Sequence, residues 1–326
     1  APPKDFDKWA RICEHVMAHY LEGWADGFHH KITYWEIWNE PDYYIGGNWQ
    51  GTPDEFYRLY STTAAHLKAR FPYVKIGGYG HASGLYTAVG CQNPFHGPDD
   101  PMDKDKWQEE FFLDFLRYMA DRKIPFDFFT WHGYGPTKHN KQVAPWIRAR
   151  LDEVGFTDTE LHLNEWNTCW REFGTAHHSA EIAGNMIALQ HGCVDVCCIY
   201  DMRNWNAPFC PLFHPITQKP IHGYYSMVAF NQLYQLGNQV ETQCDTEAAS
   251  HYKFCIWSPV QRSAEWEYEK NTKSDICPGQ YRKHKVSQRI VVEQFQLARS
   301  SVCSCCKFII EHVRFLSADF GSNFSL

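Results

Sequence analysis

Helical and strand-like patterns take turns along most of this chain, and that alternation constrains its fold more than any other feature. Phe6, Trp9, Ala10, Cys13, Val16, Met17, Tyr20, Leu21 and Trp24 recur at helical spacing, and the pattern stops near Gly27. A run suited to a strand follows over residues 32–38 and closes on Asn39-Glu40-Pro41. Thr52-Pro53-Asp54-Glu55 has the form of a helix start: Thr52 caps, Pro53 fits the first helical position and Glu55 completes a capping box. Four more strands are expected over 74–77, 126–131, 161–165 and 194–200, with helices near 107–120, 144–154, 179–190 and 223–236. Strands alternating with helices imply a parallel sheet covered by helices. No Gly-x-Gly-x-x-Gly follows the first strand and no phosphate-loop motif occurs, which weakens a nucleotide-binding reading.

The 326 residues suffice for one large domain, or one domain plus an appendage, and for a sizeable core. The boundary is expected at 245: residues 1–245 form the α/β domain, and 246–326 lose the order of helix and strand. That tail carries a basic run, Arg282-Lys283-His284-Lys285, short β-like runs at 290–292 and 308–310, and the cluster Cys303-Ser304-Cys305-Cys306. It is either a degenerate β-rich accessory region or an extension. The cysteine cluster with His312 lacks zinc-site spacing, so no metal is expected. A net charge of −7 argues against a nucleic-acid partner, and no run reaches the roughly 18 apolar residues of a membrane span. Ala1-Pro2-Pro3-Lys4-Asp5 has no apolar signal segment and no initiator Met, which implies a processed or fragmentary chain. Thirteen irregularly spaced cysteines suggest mostly reduced thiols and a cytoplasmic or anaerobic setting, and with no signal segment visible a cytoplasmic location is expected.

Two carboxylates sit in matching frames. Glu40 lies in Trp35-Glu36-Ile37-Trp38-Asn39-Glu40-Pro41-Asp42, and Glu165 in Leu161-His162-Leu163-Asn164-Glu165-Trp166-Asn167. Strands that end on Asn-Glu can aim both carboxylates into one cleft. One kept protonated and one kept ionised would equip that cleft to cleave a glycosidic bond; the bland alternative is a pair of surface ion pairs. Asn39 suits a sugar hydroxyl or a turn before Pro41. His132 and Tyr134 alternate on an extended segment and can both face the cleft, with Tyr134 able to bond Glu165; a satisfied core histidine is the alternative. Trp205 offers a stacking floor for a sugar or a packing ring. Glu36 is a second-layer partner or an interior residue, Trp166 a packing residue, Asp42 and Asp201 loop supports, and His177-His178 part of the loop before a helix.

These motifs together resemble glycoside hydrolase family 39, the β-xylosidase and α-L-iduronidase family. The likeness covers residues 1–245 and rests on the Glu40 frame, Gly51-Thr52, Lys75-Ile76-Gly77-Gly78, His132-Gly133-Tyr134 and the Glu165 frame. The Asn-Glu-Pro element alone is shared by all of clan A. The resemblance implies an α/β (β/α)8 barrel of the TIM type, acting with retention and without cofactor on an oligosaccharide or xyloside. It implies Glu40 as acid/base at the end of strand four, Glu165 as nucleophile at the end of strand seven, and Asn39, His132 and Tyr134 around the sugar. Strands one to three are then absent, so the expected barrel is incomplete, with strands four to eight recognisable. The alternatives are an inactive carbohydrate-binding remnant or another clan A activity, an arabinofuranosidase or endo-glycanase.

Overall fold

The computed structural model describes residues 1–43, 48–82, 85–93, 104–168, 173–190, 192–200, 212–214, 216–237, 239–241, 255–257 and 288–289. Asp201, Trp205, the basic run, the cysteine cluster, His312 and the apolar runs at 290–292 and 308–310 lie outside the described residues. The chain divides into two units. One comprises Ala1–Tyr134, Gln142–Trp166 and Cys193–Cys198, the other Gly135–Lys141, Asn167–Gly192 and Ile199–Leu326.

The first unit is built on a five-stranded sheet. Its strands are β1 (Tyr34–Glu36), β2 (Lys75–Gly77), β3 (Phe128–Tyr134), β4 (Glu160–Asn167) and β5 (Val196–Ile199), in the spatial order β1-β2-β3-β4-β5. β1 pairs with β2, and β2 with β3, in parallel. Each strand neighbours its predecessor, and a helix separates the two in sequence: α2 (Pro53–Arg70), α3 (Lys104–Asp121), α4 (Thr137–Glu153) and α5 (Ala176–Gln190), after the leading α1 (Phe6–Glu22). This is the architecture of part of a (β/α)8 barrel. Strand and helix meet over an aromatic core in which Phe56, Tyr60, Tyr79, Phe112, Phe115 and Phe129 are fully buried. Gly77 is required there, because a Cβ would lie 2.1 Å from the Phe128 carbonyl across the β2–β3 pair.

Local signals explain the helix ends. Asp5 caps α1 by accepting from the Lys8 N–H, and Gly23 ends it in the left-handed conformation. Thr52 and Glu55 make the full capping box at α2. Glu14 reaches His66, and Glu22 takes Arg70, across the α1–α2 pair. The opposite side of α1 leaves Ile12, Val16 and Tyr20 in one row at helical spacing, each 40–49% exposed, with Trp24 and Phe28 past its end at 50% and 48%.

Several element bounds differ from expectation for physical reasons. β1 covers three residues rather than 32–38, because Trp38 (φ 74°) and Glu40 (φ 47°) adopt the left-handed conformation, which no strand can continue through. β4 does not end on Glu165 but runs on to Asn167. β3 extends through His132-Gly133-Tyr134. α4 begins at Thr137, well before 144, and carries Pro145 in its interior, where the missing N–H gives up one helical bond. α5 starts at Ala176, so His177 and His178 belong to the helix and not to the loop before it.

In the second unit α5 meets α6 (His222–Gln235), with Ser179 Oγ 2.5 Å from Ser226 Oγ. Asn140 donates to Asn185 at 3.0 Å, and Glu181 accepts from the Thr137 N–H at 2.8 Å. The short strands β6 (Gln239–Glu241), β7 (Cys255–Trp257) and β8 (Gln288–Arg289) form a second sheet, β7 antiparallel and β8 parallel to β6. No helix among the described residues is long and apolar enough to cross a membrane.

Candidate active site

Glu40, His132, Tyr134 and Glu165 come together in the first unit, at the carboxyl side of its sheet. Glu40 stands four residues beyond the last residue of β1, in a left-handed backbone whose N–H bonds to the carbonyls of Tyr79 and Gly80 at 3.2 and 3.0 Å. His132 and Tyr134 point to the same side of β3, two residues apart. Glu165 is presented from within β4.

The contacts join the two carboxylates through one imidazole. His132 Nδ1 lies 2.6 Å from Glu40 Oε1 and 3.6 Å from Glu165 Oε2. Tyr134 donates its phenolic hydrogen to the same Glu165 oxygen at 2.5 Å. One ligand-type atom from each of Glu40, His132 and Glu165 lies within 4.8 Å of the others, the one such cluster among the described residues. A Nδ1–Oε1 separation of 2.6 Å is that of a charge-assisted hydrogen bond. A tetrahedral zinc would hold its nitrogen and oxygen ligands roughly 3.4 Å apart, farther than this pair stands. Burial by itself would lower the pKa of His132, but the hydrogen bond to Glu40 and the negative charges of Glu165, Glu40 and Glu36 outweigh it and raise the value above 6.5.

Around this trio lies a second layer. Glu36, on β1, accepts from Thr130 Oγ1 at 2.5 Å and from Asn164 Nδ2 at 2.8 Å, so it ties β1 to β3 and β4. Asn48 donates to Glu40 Oε2 at 3.4 Å, and its carbonyl accepts from the Trp38 indole. Asn39 is exposed beside Glu40. Its Oδ1 and His132 Nε2 close on Gly80, where a Cβ would come within 2.9 and 3.1 Å of them, and Gly80 itself has φ 61°. His132 is 2% exposed, and its Nε2 has no hydrogen-bond partner among the described residues. Trp166 is 1% exposed and packs in the core. Thr130 and Asn48 carry no motif that singles them out in the sequence. Thr130 could have been found from its position, two residues before His132 on the same side of β3.

What the arrangement can do is proton transfer and charge stabilisation by two carboxylates, one imidazole and one phenol at the end of a parallel α/β half barrel. The family model for glycosyl hydrolases family 39 matches residues 1–189, more than half of the 326. The chain belongs to glycosyl hydrolase family 39. It is 24% identical over 201 residues to a β-xylosidase of Geobacillus stearothermophilus, a match covering 55% of this chain and 34% of that one. It is 28% identical over 82 residues to a β-xylosidase of Caldicellulosiruptor saccharolyticus, covering 24% of this chain and 15% of that one. The chain thus matches about a third or less of each of these relatives. The crystal structure of a monomeric β-xylosidase from Caulobacter crescentus CB15 shares the fold with a TM-score of 0.51 at 16% identity, over 71% of this chain and 48% of that one.

Proposed function

We propose that this chain carries the catalytic centre of a retaining glycoside hydrolase of the β-xylosidase type. The observation that carries the proposal is the approach of Glu40 and Glu165, with His132 between them, to within 4.8 Å. Retaining enzymes set their carboxyl groups about 5–5.5 Å apart, whereas inverting ones leave about 6.5–9.5 Å for a water. The β-xylosidases among the relatives support the sugar class.

In this reading Glu165 attacks the anomeric carbon, and its carbon–oxygen bond forms as the bond to the leaving oxygen breaks. Tyr134, donating to Glu165 Oε2 at 2.5 Å, holds that oxygen in place for the attack. Glu40 gives its proton to the leaving oxygen, then takes one from the water that releases the sugar. His132 stabilises both carboxylates while each is charged. Asn39, exposed beside Glu40, is free to bond the sugar 2-hydroxyl. β1 then corresponds to strand four of a complete barrel and β4 to strand seven. The two carboxylates provide the whole reaction, which needs neither cofactor nor metal.

The test is incubation of the folded chain with an activated 2-fluoro-xyloside, read by intact and peptide mass spectrometry. A covalent adduct on Glu165 is expected. A cooperatively folded chain that gains no adduct with xylo-, arabino- or gluco-configured reagents overturns the reading in favour of a sugar-binding remnant.

A further inference from the structure

Behind Glu40 lies a closed ring of buried polar groups that the reaction above does not use. Asp42 and His81 have fully buried side chains, and Gln108, on α3, is 6% exposed. Both oxygens of Asp42 accept from the Ala82 N–H, at 3.1 and 3.2 Å. Asp42 Oδ2 also lies 3.2 Å from His81 Nδ1, which is 2.5 Å from the Ala82 carbonyl. The far nitrogen, His81 Nε2, faces the Gln108 carbonyl at 3.2 Å, and Gln108 Nε2 donates back to the Asp42 carbonyl at 3.2 Å. Both ring nitrogens of His81 therefore face carbonyl oxygens, which only accept, and Nδ1 faces the Asp42 carboxyl as well. Burial raises the pKa of Asp42 well above its ordinary value and lowers that of His81 to about 4. Both shifts favour the uncharged forms, which is how two ionisable groups are tolerated in a core.

The ring grips one segment, residues 79–82, that holds both halves of the site. The carbonyls of Tyr79 and Gly80 take the N–H of Glu40. The carbonyl of His81 takes the N–H of His132 at 2.9 Å. Glu40 sits in a left-handed backbone conformation that is costly for an L-residue, and Asp42, two residues on, is the buried anchor of the same turn. Asp42 holds the turn from its far end, and His81 and Gln108 fasten that anchor to α3.

We infer that Asp42, His81 and Gln108 are positioning residues for the acid/base step: together they hold Glu40 in its left-handed backbone against residues 79–82, with its carboxyl on His132. The inference rests on the acid/base role proposed for Glu40. A loosened Glu40 should impair proton delivery to poor leaving groups, which need an acid, far more than to activated ones, which do not.

Two readouts on the full chain test it in Asp42→Asn, His81→Gln and Gln108→Met. Gln108→Met keeps helix propensity and volume and is the variant expected to fold in any case. The first readout is amide hydrogen exchange. Faster exchange at Glu40 and Ala82, by about tenfold or more, with the amides of β4 unchanged is expected, since local opening is read residue by residue. The second is the ratio of kcat/KM for an alkyl xyloside to that for a dinitrophenyl xyloside. A fall in that ratio of about tenfold is expected, with KM little changed. Unaltered protection at Glu40 in all variants that fold overturns the inference. So does an equal loss on both substrates, which marks a merely structural role. If the parent chain hydrolyses neither xyloside, the functional proposal fails, and the exchange readout still decides whether the ring holds Glu40.

Discussion

His132 touches both carboxylates, and its charge state is the residue-scale lever on this site. Its folded pKa is raised above 6.5 because the hydrogen bond to Glu40 and the nearby charges outweigh burial. The sign follows by linkage. The protonated ring is favoured by folding, so its stabilisation is fully present below the unfolded value and is lost as pH rises through the raised folded value. The stability difference between the parent chain and His132→Gln should therefore shrink from pH 6 towards pH 9; circular-dichroism melts across that range check it, and a difference that grows with pH contradicts it. Gly80 is the other sensitive position. Its φ of 61° and the 2.9 and 3.1 Å approaches to Asn39 and His132 leave no place for a methyl. Gly80→Ala should cost about 1–2 kcal/mol in denaturant unfolding from the backbone alone. It should also slow adduct formation at Glu165 by displacing His132. Normal labelling kinetics would mean that the neighbours give way.

At the scale of elements, α2 shows what a local signal achieves. Its capping box needs only Thr52 and Glu55, which are adjacent in space because they are adjacent in sequence. It is legible for that reason, and all three bonds form: Thr52 N to Glu55 at 2.8 Å, Thr52 Oγ1 to Glu55 and Glu55 N to Thr52 Oγ1 both at 3.2 Å. Thr52→Ala should lower the free energy of unfolding by about 0.5–2 kcal/mol, and a change near zero in urea titration would mean that Glu55 suffices without its partner. The frames around Glu40 and Glu165 are short and local in the same way, so their pairing could be anticipated. The helix expected near 144–154 is longer than that because tertiary packing, not a local signal, carries it past Pro145. Packing of Val143, Ala144 and Ile147 in the core carries α4 through it, back to Thr137. The Asp42–His81–Gln108 ring has no sequence signature, because its partners are 27 to 66 residues apart and meet only once the sheet has formed.

At the scale of the molecule, residues contributed by three separate stretches of chain make one site, so its integrity depends on the core beneath it. Phe115 has no exposed surface and meets Tyr60, Tyr79 and Phe126 at centroid distances of 4.9, 4.8 and 5.6 Å. Phe115→Ala should cost about 3–5 kcal/mol, and labelling at Glu165 should disappear at the same denaturant concentration as the tertiary signal. Labelling that outlasts that signal would show the site to be independent of this core. The row formed by Ile12, Val16 and Tyr20 on α1, with Trp24 and Phe28 beyond, has a practical consequence for all such work. Dyes that fluoresce in oily surroundings will find an apolar stripe on the native chain before any heat is applied. Their signal will start bright and rise little. A scan with such a dye would report no transition in a protein that unfolds cooperatively, and ellipticity or intrinsic fluorescence will report the melt that the dye conceals.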